Sequence, residues 1–201
     1  MREFSIRVGY LKDVSLLADL EYRSRRAAFL EMYGSADDAP DQKELENRWQ
    51  NRLTQKICVP LIGLVSDAPV AYCSIARIAG TLHFEIRGLY VLQEYWGRGV
   101  GGRMLDSAVG VVRKLAEQVL ASGDLPSGDP AATEFDIRLG VVSENARARD
   151  FYARRGFVLT GQREQVTLDS SRILEILEMK RQMALPPSSE KRTGPDKKEN
   201  T

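Results

Sequence analysis

Four glycines fall within six positions, Gly97, Gly99, Gly101 and Gly102, between a strand-like run ending at Leu92 and a long amphipathic stretch. Glycine lets backbone N–H groups approach an anion closely, and a helix that follows adds its unpaired N–H groups and the positive end of its dipole. The pattern suits a phosphate or pyrophosphate, with Arg98 and Arg103 able to add charge. A Walker A loop requires Gly-Lys-Ser/Thr, and the chain has Gly102, Arg103 and Met104 there. Gly97, Gly99 and Gly102 formally match a dinucleotide fingerprint. That fingerprint also wants an acidic residue about 20 positions on, at the end of a following strand. Here the position falls near Glu117, inside the helix, so the match reads as accidental. A turn that only lets strand and helix pack is the plain alternative.

A second set of residues clusters near position 150. Asn145 lies at a helix start, where its amide can cap the helix or reach a ligand. Ala148, Phe151, Tyr152 and Arg155 share one broad helix face, with Phe151 expected in the core. Tyr152 is either a packed aromatic with a satisfied hydroxyl or a group with chemistry to do. By strand alternation, Glu85 shares a face with Arg87, Leu89 and Val91, and His83 has the same parity. Glu85 is either a solvated or ion-paired carboxylate or a proton acceptor. His83 is the only histidine, which removes multi-histidine metal sites. The two cysteines, Cys58 and Cys73, cannot build a disulfide framework and form no CxxC pair. They read as buried strand thiols without an activating base. No metal site is expected. The run Asp37, Asp38 and Asp41 is acidic and reads as a solvated loop, with attraction of a cationic amine as the sharper alternative.

The elements that must position these residues follow from periodicity. Phe4–Val8 alternates as a strand, and Asp13 is placed to cap a helix that continues to Gly34. Residues 34–40 form a loop. Asp41 and Glu44 resemble a capping box for a helix burying Leu45, Trp49 and Leu53. Runs at 57–65, 70–78 and 82–92 read as strands, and Pro60 points to an edge position or a bulge in the first of them. Leu105, Ala108, Val112, Ala116 and Val119 make the clearest helical stripe. A Gly- and Pro-rich loop spans 122–132. A strand at 135–142, a helix at 145–155 closed by Gly156, and strands at 157–168 and 173–179 around a turn at 169–171 complete the chain.

Composition bounds the class. At 201 residues, 43% hydrophobic and 28% charged, the chain can build a single core. A net charge of +1 speaks against a nucleic-acid binder by bulk charge. No run is apolar enough to span a membrane and residues 1–5 do not form a signal peptide, so a cytoplasmic protein with no nucleic-acid or membrane partner is expected.

The motifs together resemble the GCN5-related N-acetyltransferases. The family's acyl-coenzyme A loop reads Gln/Arg-x-x-Gly-x-Gly/Ala, and Gly99 and Gly101 match its two small positions, although Trp96 replaces the Gln or Arg. The family's second motif, Asn-x-x-Ala-x-x-Phe/Leu-Tyr-x-x-x-Gly-Phe, is matched completely by Asn145, Ala148, Phe151, Tyr152, Gly156 and Phe157. The resemblance implies a single α/β domain over residues 1–183, with a mixed six- to seven-stranded sheet and helices on both faces. It implies acetyl-CoA as co-substrate, held by Leu89, Tyr90, Val91, Gly97, Arg98, Gly99, Val100, Gly101, Gly102 and Asn145. It implies acetyl transfer to a primary amine (a small molecule, a polyamine or a peptide N-terminus), with Val91 N–H stabilising the oxyanion, Tyr152 as acid and Glu85 as base. An acyl-CoA-binding module without catalysis is the competing reading, and a monomer or homodimer is expected.

Residues 184–201, rich in Pro, Ser, Lys, Glu and Asn, read as a disordered tail. Deleting residues 188–201 is expected to leave the Tm and the coenzyme A affinity unchanged. A fall of several degrees in a thermal melt shows instead that the segment docks on the domain.

Overall fold

The computed structural model describes residues 3–122, 134–168 and 172–185. The expected loop at 122–132, turn at 169–171 and tail beyond 185 lie almost wholly outside that range. Seven strands form one sheet: β1 (Phe4–Val8), β2 (Val59–Val65), β3 (Ala68–Arg77), β4 (His83–Val91), β5 (Glu134–Val142), β6 (Val158–Thr167) and β7 (Ile173–Ala184). Their order is β1-β2-β3-β4-β5-β7-β6. Only β4 and β5 pair in parallel; every other neighbouring pair is antiparallel. β7 runs one residue past the expected domain limit at 183.

Helices α1 (Val14–Tyr33) and α2 (Gln42–Thr54) cover one face. Their side chains Leu17, Leu20, Leu45 and Trp49 pack with Ile62 and Tyr72 of the sheet. Helices α3 (Val100–Ser122) and α4 (Ala146–Ala153) cover the other. There Leu105, Ala108, Val112 and Ala116 bury against Phe84, Ile137 and Leu139. The stripe on α3 and the alternation along β5 each supply half of this core, as their periods require.

Several expectations change on folding. Pro60 lies on β2, an interior strand, opposite Ser74. Its carbonyl accepts from Gly9 N–H at 2.8 Å, so its nitrogen also points toward β1. Regular pairing with β1 ends at Leu61, so the missing donor interrupts nothing. Asp13 starts α1 without a side-chain cap bond. It is buried and takes a forked pair from Arg7 at 2.7 and 2.9 Å and the Tyr10 N–H at 2.9 Å, tying β1 to the helix. Asp41 caps α2 as expected, accepting from Glu44 N–H at 2.7 Å. Asp38 is not a solvated charge, since its buried carboxylate meets Arg172 at 2.6 Å. That pair fastens the loop between α1 and α2 to the start of β7. Cys58 precedes β2 rather than lying within it.

The change that matters most lies in β4. Ser74 opposes Gly88 and Ile75 opposes Ile86, so Arg87 is an extra residue. The bulge flips the alternation: Phe84 and Ile86 face α3, and so do Leu89 and Val91. Glu85 therefore lies on the opposite face from Leu89 and Val91, against the simple period-two expectation.

Arg7 holds the Asp13 carboxyl below the usual carboxylate range. A depressed folded-state pKa stabilises above the unfolded value, about 3.9, and that contribution fades as pH falls through the folded value. Asp13→Asn is expected to cost about 1 kcal/mol at pH 7, discounted because Arg7 is partly exposed. That corresponds to roughly 2–4 °C in Tm for a chain of this size. The gap between wild type and variant narrows as melts are taken below about pH 4; a gap independent of pH refutes the ion pair.

Candidate active site

The parallel pairing of β4 and β5 is short. It runs from His83 opposite Asp136 to Ile86 opposite Leu139 and stops. Beyond it β4 stays with β3 as far as Val91 opposite Ala71, while β5 stays with β7 as far as Val142 opposite Ile176. The two strands diverge, and a cleft of about 500 Å³ opens beyond the fork. The glycine turn and α4 form one end of it, and Ser24 and Ala28 of α1 line another part.

The floor is the exposed edge of β4. Leu92 N–H donates to the Val70 carbonyl at 2.9 Å. In an antiparallel ladder the preceding residue turns its own N–H and C=O the other way. Val91 thus presents both groups to the side that β5 has left, and its carbonyl there accepts the Trp96 indole N–H at 2.7 Å. Leu89 has the same orientation in the ladder. Tyr90 also lines the cleft, but its ring packs toward α1, stacked on Tyr72 at 5.4 Å with the Arg25 guanidinium 5.5 Å away.

The glycine turn closes the end beyond Val91. Gly97 and Gly99 have φ of +70° and +78°, a backbone conformation that L side chains rarely adopt. Arg103 N–H bonds the Gly99 carbonyl at 3.2 Å, which begins the helical ladder of α3. The N–H groups of Val100, Gly101 and Gly102 precede that bond and have no intrahelical partner. Neither arginine singled out in the sequence lines this cleft. Arg98 lies over the Tyr95 ring, and Arg103 is held over Phe4, 4.2 Å from the ring centre and 3.2 Å from its carbonyl. The cleft's arginines are Arg147, Arg154 and Arg155. The arginine-rich composition of 147–155 was the available sign. Arg147 stacks on Trp96 at 3.5 Å and pairs with Glu31 at 2.7 Å, joining the turn, α4 and α1.

α4 brings the second motif to the same cleft. Asn145 caps it, accepting the Ala148 N–H at 2.9 Å, and also lines the cleft. Phe151 is a partly buried wall residue rather than deep core, with Arg155 above its ring. Tyr152 is 8% exposed and sits between Phe151 and Phe157. Burial above all, with Cys73 and Tyr90 adding, raises its phenol well above the usual value, so it remains protonated at neutral pH. Burial also pushes the Cys73 thiol up to about 12, which leaves no thiolate nucleophile there.

Glu85 and His83 do not line this cleft. Glu85 pairs with Arg87 at 2.9 Å and borders a separate, smaller depression with Arg138, Arg163 and Glu178. His83 Nδ1 lies 2.6 Å from Asp136 on the other side of the sheet from α3. Among the described residues, no cluster of His, Cys, Asp and Glu has the geometry of a metal site, and no helix is long and apolar enough to cross a membrane.

Residues 60–159, which include the fork, the glycine turn and α4, match the acetyltransferase (GNAT) domain family. No curated protein matches the chain by sequence. Among solved structures, a GCN5-related N-acetyltransferase from Rhodopseudomonas palustris is 22% identical with a TM-score of 0.65, over 91% of this chain and 98% of that one. The PaiA N-acetyltransferase of Thermoplasma acidophilum in complex with coenzyme A is 17% identical, TM-score 0.60, over 90% and 99%. The ribosomal-protein-alanine N-acetyltransferase of Brucella melitensis is 16% identical, TM-score 0.61, over 88% and 98%. At these identities the structures establish the shared fold. Together with the matched domain they show that the chain belongs to the GNAT acetyltransferase family.

Proposed function

We propose that the chain transfers an acetyl group from acetyl-CoA to a primary amine by direct attack, with Tyr152 as the acid. One observation carries this reading: the β4 edge that β5 has left, a left-handed glycine turn at a helix start and a buried phenol share one cleft. The cleft fits the co-substrate. A Cβ added at Gly97 or Gly99 meets nothing within 4 Å, so the turn leaves space beside the unpaired N–H groups of α3 for a pyrophosphate. Arg147, Arg154 and Arg155 add positive charge. The coenzyme A bound to the Thermoplasma protein supports the same ligand here.

Acetyl-CoA supplies the activated acyl group as a thioester. Leu89, Tyr90 and Val91 offer a strand edge along which an extended, amide-bearing arm can lie. The Val91 N–H faces the same side and is placed to stabilise the thioester oxygen as it gains charge. The amine nitrogen bonds to the carbonyl carbon, the carbon–sulfur bond breaks, and its electron pair leaves on sulfur. Tyr152 gives the sulfur a proton, and the proton lost from nitrogen returns through solvent to the phenol. Because burial holds the phenol protonated, this donor does not titrate at or below about pH 10. Glu85 is not among the residues that line the cleft, and this reading gives it no proton-transfer step.

A binding module without catalysis would hold the ligand and release no thiol. Gly101 tests the ligand, because its added Cβ makes ordinary contact with Phe151 at 3.5 Å and its φ is unstrained. Gly101→Ala is expected to keep acetyl-CoA affinity within a few-fold. Gly101→Asp is expected to weaken it at least tenfold, about 1.4 kcal/mol, in calorimetry. Unchanged affinity with the fold intact removes the turn from the site.

Tyr152→Phe keeps the ring and removes only the O–H. Acetyl-CoA affinity is expected to hold while kcat and kcat/KM fall together by about 10²-fold. A purely structural tyrosine gives the opposite pattern, with near-normal turnover and about 1 kcal/mol of lost stability. Thermal melts, calorimetry and thiol release on one preparation decide between them.

A further inference from the structure

Ser24 sits in the interior of α1 and is 3% exposed. Its hydroxyl has no hydrogen-bond partner among the described residues. A helix-interior serine usually returns its hydroxyl to the carbonyl four residues back, and this one does not. A buried hydroxyl left unsatisfied is costly, so this one calls for a partner supplied from outside the chain, a solvent or ligand atom. Ser24 lines the cleft together with Ala28, one turn further along the same helix face. These two small side chains leave room beside the β4 edge. The carboxylate one turn earlier, Glu21, is already engaged by Arg25 at 2.8 Å and the Trp49 indole at 2.9 Å.

The charge of the cleft restricts what can fill that room. Among the described residues lining it, every charged side chain is an arginine. An ammonium group gains no ion pair there, whereas a neutral amine can donate an N–H to a serine oxygen and keep its lone pair for attack. A peptide-type α-amino group has an ordinary pKa of about 7.7–8.0, so roughly a quarter of it is neutral at pH 7.5. For a lysine-type alkylamine, at about 10.4, the neutral share is about a thousandth.

We propose that Ser24 binds the acceptor, its oxygen taking an N–H from the α-amino group of a peptide N-terminus or amino-acid amide. This rests on the acetyl-transfer reading above. The serine holds the nitrogen so that its lone pair is directed into the cleft, and the larger neutral share of an α-amine favours it over polyamine and lysine-like acceptors.

The test uses the full-length chain with two probes, alaninamide for the α-amine and n-propylamine for the alkylamine. With acetyl-CoA at pH 7.5, kcat/KM for alaninamide is expected to exceed that for n-propylamine by about 10², the gap closing as pH rises toward 10. In Ser24→Ala, alaninamide binding to the enzyme–coenzyme A complex, read by calorimetry, is expected to weaken at least tenfold and its KM to rise correspondingly. Acetyl-CoA affinity holds, and the Tm stays the same or rises because a buried polar group has gone. Equal turnover of the two amines at pH 7.5 overturns the substrate class. Unchanged alaninamide binding and KM in Ser24→Ala overturns the role of Ser24 while leaving acetyl transfer standing. Wild-type chain that binds acetyl-CoA but releases no thiol with either amine overturns both this inference and the reading it rests on.

Discussion

Parallel strands with a ladder of only four residue pairs cannot hold each other along their whole length. β4 and β5 are joined from His83 to Ile86, and after that each follows its antiparallel neighbour. Every feature of the site depends on that parting. If β5 stayed alongside β4, it would consume the outward N–H and C=O of Val91 and fill the space between the glycine turn and α4. The bulge at Arg87 lies where the strands separate, adding local bend and twist to β4 as it leaves its partner. The same bulge turns Leu89 and Val91 toward α3 and leaves Glu85 facing away.

The opposite face needs its own anchor, because α1 must stand firmly where it borders the cleft. Glu21 provides it from inside the core. This carboxylate, 1% exposed, joins α1 to Trp49 of α2 and is flanked by Arg25 and Arg52. Trp49 packs edge-on to Tyr72 at 5.3 Å, and Tyr72 stacks on Tyr90 of the cleft. Breaking such a pair by removing one partner leaves an uncompensated buried charge, so the network specifies how α1 lies on the sheet more than it adds stability. Ser24 and Ala28 reach the cleft because this contact fixes their helix.

The arginines show how the roles of like residues divide by position. Arg7, Arg103 and Arg172 hold the ends of the fold together, binding Asp13, Phe4 and Asp38. Arg147, Arg154 and Arg155 face the cleft instead. Arg147 does both, since its contacts with Trp96 and Glu31 fasten the turn to two helices. Trp96, which replaces the Gln or Arg of the family's loop, contributes here through its indole N–H on Val91 rather than through charge.

Local chemistry determined much of this from the sequence alone. The stripe on α3, the cap at Asp41, the positive-φ glycines of the turn and the spacing from Asn145 to Phe157 are short-range constraints, legible wherever a period of 3.6 or 2 or a required backbone angle is at stake. They sufficed for the order of strands and helices, while the resemblance to the family supplied the mixed sheet with helices on both faces and the placing of the glycine turn and Tyr152 together. What failed were assignments that depend on partners distant in the chain. Alternation put Glu85 beside Leu89 because period two assumes an unbroken strand, and only pairing with β3 reveals the extra residue at Arg87. Gly88 was the one local hint of it. Asp13 looked like a cap and Asp38 like a solvated charge because Arg7 and Arg172 become their partners only when the sheet closes. Ser24 carried no signal at all: a lone serine within a helix becomes notable only when folding buries its hydroxyl at the edge of a cleft and leaves it without a partner among the described residues.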